Sequence, residues 1–253
     1  MGRTIAVVNQ KGGVGKTTTA VNLSAGLAAT EHPTLLVDLD PQSNASTGLG
    51  IYRPGLYPTV YQAILGKEEI QNSILSTEME HLSLVPAEID LVGAELELVL
   101  LERREFRLRE ELTPTAAKFD YVVIDCPPSL GLLTINALTA ADSVLIPVQC
   151  EFYALEGVAK LLKTIRLVKE RLNPALRIEG ILLTMFDGRT TLATQVRDEV
   201  KRHFEAQLFE TVIPRNVRLS EAPSHGKPII LYDLHSAGAV AYLRLTKEVL
   251  AHE

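Results

Sequence analysis

Asn9-Gln10-Lys11-Gly12-Gly13-Val14-Gly15-Lys16-Thr17-Thr18 stands between an apolar run, Thr4 to Val8, and a helical pattern from Thr17 to Ala29. A strand that turns through glycines into a helix start makes an anion site. The glycines let successive backbone N–H groups approach oxyanions, and the unpaired N–H groups of the first helical turn add a favourable dipole. Lys16 is then placed to reach the β- and γ-phosphates of ATP as a point charge, the Thr17 hydroxyl to coordinate Mg²⁺, and Thr18 to lie near the α-phosphate. The strict motif G-x-x-x-x-G-K-[ST] has glycine where this chain has Gln10. The match is therefore to a variant, with an additional lysine, Lys11, early in the loop. Lys11, Gly12, Gly13, Val14, Gly15, Lys16, Thr17 and Thr18 form the expected phosphate site.

Outward from this loop, short apolar runs recur at Thr34 to Leu39, Leu82 to Val85, Tyr121 to Ile124, Val144 to Val148, Ile178 to Leu183 and Thr211 to Ile213. They read as buried strands. Helical patterns intervene at Leu91 to Leu112, Leu130 to Ala140, Leu155 to Leu172 and Leu192 to Phe204, and a last one runs from Ala237 to Leu250. The alternation predicts an α/β fold in three layers, a mostly parallel central sheet with helices on both faces, because parallel strands need crossover connections. No internal repeat or Ser/Gly-rich linker divides the chain, so residues 1–253 are read as a single domain. The most irregular segment is Gly48 to Pro58, which includes Pro54 and Gly55. Ligands of such sheets bind beyond the carboxyl ends of the strands, which directs attention to the residues after each one.

Composition excludes several classes. The 253 residues are 46% hydrophobic and 22% charged, with 5% aromatic residues and no Trp, as in a globular protein rich in aliphatic side chains. There is no basic-then-apolar leader and no run of about 18 apolar residues, so neither a signal peptide nor a membrane span is expected. Cys126 and Cys150 match no zinc or redox spacing and read as buried thiols of a reducing cytoplasm. The net charge of −6 conceals an asymmetry: residues 1–150 carry 10 Lys and Arg against 18 Asp and Glu, residues 151–253 carry 15 against 13. On charge alone the second half reads as solvated helix faces. The six histidines are scattered, and none is assigned a catalytic role.

Carboxylates close two of the other strands. In Leu36-Val37-Asp38-Leu39-Asp40-Pro41-Gln42 the two acids lie two apart, on one side of an extended chain, and Asp-Pro places Asp40 at the exposed tip. Turn chemistry alone accounts for an Asp there. Phe119-Asp120-Tyr121-Val122-Val123-Ile124-Asp125-Cys126-Pro127-Pro128 is an apolar strand closed by an acid, the Walker B form, and Asp125 is expected to hold Mg²⁺ through a bound water. Ser129 is expected to cap the helix that follows. Together these parts suit phosphoryl transfer to water, in which positioning and charge stabilisation do most of the catalysis. After a later strand, Thr184-Met185-Phe186-Asp187 occupies the position of a guanine-reading T-K-x-D box, but Met185 replaces the lysine, which argues against GTP.

With V-D-L-D-P-Q, V-I-D-C-P-P-S, M-F-D-G-R-T and I-P-R-N-V-R-L-S-E-A-P following the loop in this order, the chain resembles the ParA family of chromosome and plasmid partitioning ATPases, within the deviant-Walker MinD/ParA superfamily of P-loop NTPases. The resemblance covers nearly the whole length. It implies an ATP-dependent homodimer with Mg²⁺, in which Lys11 crosses to the partner's nucleotide. Lys11, Lys16 and Asp40 would form the catalytic set, with Asp40 orienting the attacking water and Asp38 supporting it. The stretch from Ile213 to Pro223 is expected to be a loop after the last strand; the resemblance further implies that Pro214 and Asn216 in it lie against adenine, and that Arg189 and Arg218 hold the backbone of non-specific double-stranded DNA. A ParB-type partner would stimulate hydrolysis, and the protein would be cytoplasmic and nucleoid-associated. No room for a helix-turn-helix precedes the first strand, so operator binding by this chain alone is not expected. Two other classes share the loop. A MinD-like membrane-cycling ATPase ends in a basic amphipathic helix, whereas Tyr242 to Glu253 is poor in cations and fits a docked final helix. Iron–sulfur reductases need interface cysteines at a cluster spacing that Cys126 does not supply.

Overall fold

The computed structural model describes residues 2–51, 55–151 and 154–252. Eight strands form one sheet: β1 (Arg3–Val7), β2 (Thr34–Asp38), β3 (Leu75–Ser76), β4 (Leu82–Val85), β5 (Tyr121–Asp125), β6 (Ser143–Gln149), β7 (Arg177–Phe186) and β8 (Leu208–Pro214). Their order across the sheet is β3-β4-β2-β5-β1-β6-β7-β8. All neighbours are parallel except β3 and β4, and β3 is a two-residue strand that leaves no apolar run for the sequence to show.

Side chains alternate between the two faces, as strand geometry requires. Ile5, Val7, Leu36 and Val123 pack on one side with Leu23 and Leu27 of the Lys16–Ala29 helix and with Tyr242, Leu245 and Val249 of the final helix, Ala237–Ala251. Ala6, Val8, Leu35, Val37, Val122 and Ile124 pack on the other with Leu133, Leu161 and Val196. β2 and β5 are buried throughout, as expected of central strands covered on both faces. The final helix is docked rather than free: Ser236 accepts the Ala239 N–H at 3.1 Å, and the Tyr242 hydroxyl meets Thr19 Oγ1 at 3.2 Å. Among the described residues no helix is long and apolar enough to cross a membrane.

Three local expectations are corrected. Leu91 to Leu112 is two helices, Leu91–Leu98 and Arg107–Ala116. Arg103 turns through φ 52°, Arg104 Nη1 donates to the Val99 carbonyl at 3.0 Å, and Asn136 Oδ1 accepts the Leu108 N–H at 3.1 Å at the start of the second helix. The break is fixed by an asparagine 28 residues away, which periodicity cannot reveal. Ser129 is not a cap. The helix begins at Leu132 with Gly131 as N-cap, and its Leu133 N–H points to Glu95 Oε1 at 3.4 Å. The stretch after β8 is helical rather than a loop, with a short helix at Val217–Glu221 and a 3₁₀ turn at Ala222–His225. Within the irregular segment Gly48 to Pro58, Pro54 lies outside the described residues, as does the terminal Glu253.

Candidate nucleotide site

The loop after β1 meets the loops after β2, β5, β6, β7 and β8 at the carboxyl edge of the sheet. Gly13 and Gly15 take φ of 75° and 87°, a left-handed conformation that admits glycine without the Cβ clash other residues suffer. A Cβ at Gly12 or Gly13 would meet no atom of the other described residues within 4 Å apart from its chain neighbours, so the loop opens onto free space. Asn9 fixes the loop from below: its Oδ1 accepts the Lys11 N–H at 3.0 Å and its Nδ2 donates to the Pro147 carbonyl at 2.7 Å. Thr184 Oγ1 donates to the Val14 carbonyl at 2.8 Å and ties the loop to the end of β7.

Lys16 folds back into this concavity, with Nζ donating to the Lys11 carbonyl at 3.2 Å. Burial lowers its pKa, and the carboxylates of Asp125 and Asp40 act against that shift. Asp125 is fully buried, and among the described residues neither of its oxygens finds a well-formed hydrogen-bond partner. Burial raises its pKa well above the carboxylate range, and Asp38 adds to the rise. The Thr17 hydroxyl and Lys16, both near it, work the other way. A buried oxygen pair without partners costs free energy unless something is bound there.

Asp38 pairs with Asp125 in strand register, so the two acids sit side by side. Burial raises the Asp38 pKa, although its Oδ2 accepts from Ser46 Oγ at 2.7 Å and from the Ser46 N–H at 2.8 Å. Asp40 lies two residues beyond the strand and is buried, 5% exposed, rather than at an exposed tip, because its N–H is held by Asp38 Oδ1 at 3.2 Å and its own Oδ1 accepts the Gln42 N–H at 2.9 Å. Lys16, Thr17, Asp38, Asp40 and Asp125 are thus gathered at the start of one helix. Among the described residues no three His, Cys, Asp or Glu side chains form a ready cation cage. The donor set suits Mg²⁺, which keeps several waters and takes few protein ligands beside a phosphate.

Beyond this centre, a cavity of about 250 Å³ is lined by residues that include Gly15, Thr18, Pro214 and Asn216. Asn216 Oδ1 is buried there with no partner among the described residues. Met185, on the same wall, holds φ 50°, a strained conformation for a non-glycine residue. Lys11 points elsewhere: its ammonium pairs with Glu151, both about half exposed. Arg189 is exposed and held bidentately by Asp187, at 2.8 and 2.7 Å. Arg218 pairs with Glu221 at 2.9 Å and with Asp233 at 3.5 Å. These two arginines follow β7 and β8, neighbours in the sheet, and neither lines the cavity. Cys126 and Cys150 are buried free thiols.

Residues 2–178 match a family described as an AAA domain. The chromosome partitioning protein ParA of Myxococcus xanthus is 59% identical over 253 residues, spanning 100% of this chain and 89% of that protein. The sporulation initiation inhibitor protein Soj of Bacillus subtilis is 58% identical over 252 residues, spanning 100% of both chains. The chain belongs to the ParA/Soj family. Among solved structures, a protein from Mycobacterium smegmatis named cobyrinic acid a,c-diamide synthase, with bound ADP and magnesium, superposes with a TM-score of 0.88 at 39% identity, covering 100% of this chain and 95% of that one. The ParA/Soj fold is accordingly the P-loop NTPase fold expected from the sequence.

Several residues of this ParA/Soj site were not singled out by sequence: Asn9, Ser46, Glu151 and Thr184. Asn9 carried a faint signal, a polar residue closing an apolar strand next to the glycines. Ser46 and Glu151 act across 8 and 140 residues of chain, where no motif marks them, and Thr184 opens the T-M-F-D stretch but braces Val14 from 170 residues away, a role that stretch does not signal.

Proposed function

We propose that this chain is an ATP-switched DNA-partitioning ATPase whose ATP-bound form is a dimer that grips DNA without sequence preference. The observation that carries the reading is the orphaned Asp125 carboxylate beside Lys16 and Thr17 at a helix N-terminus. The backbone amides from Lys11 to Thr18 would cradle the phosphates, with Lys16 on the β- and γ-oxygens. Mg²⁺, held by the Thr17 hydroxyl and by Asp125 through a water, would supply the charge that offsets the triphosphate. Asp40 would orient the attacking water and receive its proton, while Asp38 holds the Asp40 backbone in place. Pro214 would pack on adenine, and Asn216 Oδ1 would accept from its amino group.

Lys11 would leave Glu151 and cross to the nucleotide of a second protomer, completing two sites at once. Closure of that dimer would align Arg189 and Arg218 for phosphate contacts. A ParB-type DNA-bound partner would accelerate hydrolysis, after which the dimer opens and releases DNA, giving nucleoid association in the ATP state. The single domain over residues 1–253 acts as one half of this switch.

Retention of random-sequence DNA on filters, with ATP, ADP or no nucleotide, tests the reading. DNA should be retained only with ATP. Arg189→Ala and Arg218→Ala should each weaken retention for all sequences alike and lower the salt slope by about 1 for each phosphate no longer neutralised. Equal retention under all three nucleotide conditions would rule out the switch.

A further inference from the structure

Fifteen consecutive residues, 88–102, contain five acids, Glu88, Asp90, Glu95, Glu97 and Glu102, and no Lys or Arg. They form the Leu91–Leu98 helix and its flanks. Leu91, Ala94 and Leu98 face the core. Ile89, Val92, Leu96, Val99 and Leu100 recur at spacings of three and four residues on the opposite side, where they are 53% to 84% exposed. Leu56, also exposed, extends the patch, since its neighbour Gly55 donates its N–H to Glu88 Oε1 at 3.0 Å. A helix at a protein surface ordinarily turns a polar face outward. A contiguous apolar stripe of this kind marks an interaction surface.

We infer that this face is a docking surface for a basic amphipathic helix of a partner protein. Apolar anchors of the occupant would lie on Val92, Leu96 and Leu100, in the helix-on-groove mode, with its lysines or arginines beside Asp90 and Glu102. Among the described residues neither of those acids has an ion-pair partner, whereas Glu97 is engaged by Lys67 at 3.0 Å. Charge selects this occupant over a second copy of the same face, which would bring like charges together. The surface also adjoins the nucleotide site. The Ala87 N–H donates to Ser46 Oγ at 3.2 Å, and Ser46 holds the Asp38 carboxylate. Glu95 reaches the Leu133 N–H in the first turn of the helix that follows the Asp125 loop. An occupant of the stripe would therefore press on the segment whose Ser46 holds Asp38 and on the helix that follows the Asp125 loop.

The test needs no nucleotide, so its outcome is separate from that of the ATP reading. Fluorescence anisotropy would follow a labelled peptide of about 18 residues, built of leucine and lysine at amphipathic helical spacing, on the full-length protein in 0.15 M salt. Micromolar binding is expected, at least tenfold weaker for a serine–lysine peptide of equal charge and for a leucine–glutamate peptide. The Val92→Ser/Leu96→Ser/Leu100→Ser variant alters exposed side chains only and should keep its circular dichroism while losing at least tenfold in affinity. Asp90→Asn/Glu102→Gln should lose a few-fold and bind with less salt dependence. Amide exchange over residues 88–102 should slow when the leucine–lysine peptide is bound. Failure of that peptide to bind, equal binding by the acidic peptide, or binding unchanged by the serine substitutions would overturn the proposal. A serine variant that keeps the peptide but loses ATP-dependent self-association would assign the face to a second copy instead.

Discussion

Asp38 and Asp125 are register partners at the carboxyl ends of adjacent parallel strands, and both carboxyl groups are withdrawn from solvent. Asp38 has Ser46 to satisfy it, and Asp125 has no well-formed partner among the described residues. The nucleotide-free protein thus stores unfavourable free energy at the point where a cation–phosphate complex would relieve it.

Asp125→Asn keeps the shape and removes the cost of burying a group that would otherwise ionise at neutral pH. The nucleotide-free variant should be more stable than the parent by about 1 kcal/mol or more, which is a rise in Tm of about 2–4 °C per kcal/mol for a chain of this size. The same substitution should abolish the additional Tm gain that Mg²⁺ gives over ATP alone. Thermal scans with and without EDTA check both statements; a lower Tm for the free variant would contradict them.

Asn216 offers its orphaned Oδ1 to the cavity beside Gly15 and Thr18. Asn216→Ala should weaken ATP binding by about 1–1.5 kcal/mol, roughly tenfold, the worth of one hydrogen bond in a sheltered site. Binding of inorganic tripolyphosphate with Mg²⁺ should not change, because the phosphate loop is untouched. Calorimetric titration with both ligands separates the base contact from a general loss of structure.

Much of this centre was legible because each part is contiguous: strand, glycine turn and helix start in one case, apolar strand and terminal acid in the others. The seven longer strands were readable for the same reason, since each is an apolar run of several residues. What escaped depends on chain segments that meet only in the fold. Asn136 starts the Arg107–Ala116 helix from a neighbouring one, Thr184 braces the loop from β7, and Ser46 satisfies Asp38 from beyond the turn. The stripe from Ile89 to Leu100 was hidden for a different reason: a helix apolar on both sides reads as core until its exposure is seen.

Lys11 and Glu151 form an ion pair at the surface, with 48% and 46% of each side chain exposed. Such a pair contributes less than about 1 kcal/mol, so Glu151→Gln should leave the Tm within a few degrees of the parent. Lys11→Ala should still bind Mg²⁺-ATP as a monomer, because its ammonium is directed away from Lys16, yet fail to dimerise. Equilibrium dialysis together with sedimentation distinguishes these steps. Loss of monomer binding would show that Lys11 serves its own nucleotide instead.

Burial raises the Cys126 thiol well above its ordinary range and the Cys150 thiol to about 11. Both should be silent toward a thiol reagent at pH 8 in the folded protein and react on addition of denaturant, since the thiolate is the reactive form. Rapid modification of the native protein would contradict the burial of the two thiols at the ends of β5 and β6.

A two-protomer switch set by ATP and reset at Asp40 makes the oligomeric state follow the nucleotide. Sedimentation velocity of the parent, Lys11→Ala and Asp40→Ala in ATP, ADP and no nucleotide tests it most directly. The parent should dimerise transiently in ATP, Asp40→Ala should remain a dimer in ATP, and Lys11→Ala should stay monomeric throughout. An Asp40→Ala protein that is monomeric in saturating Mg²⁺-ATP would contradict it.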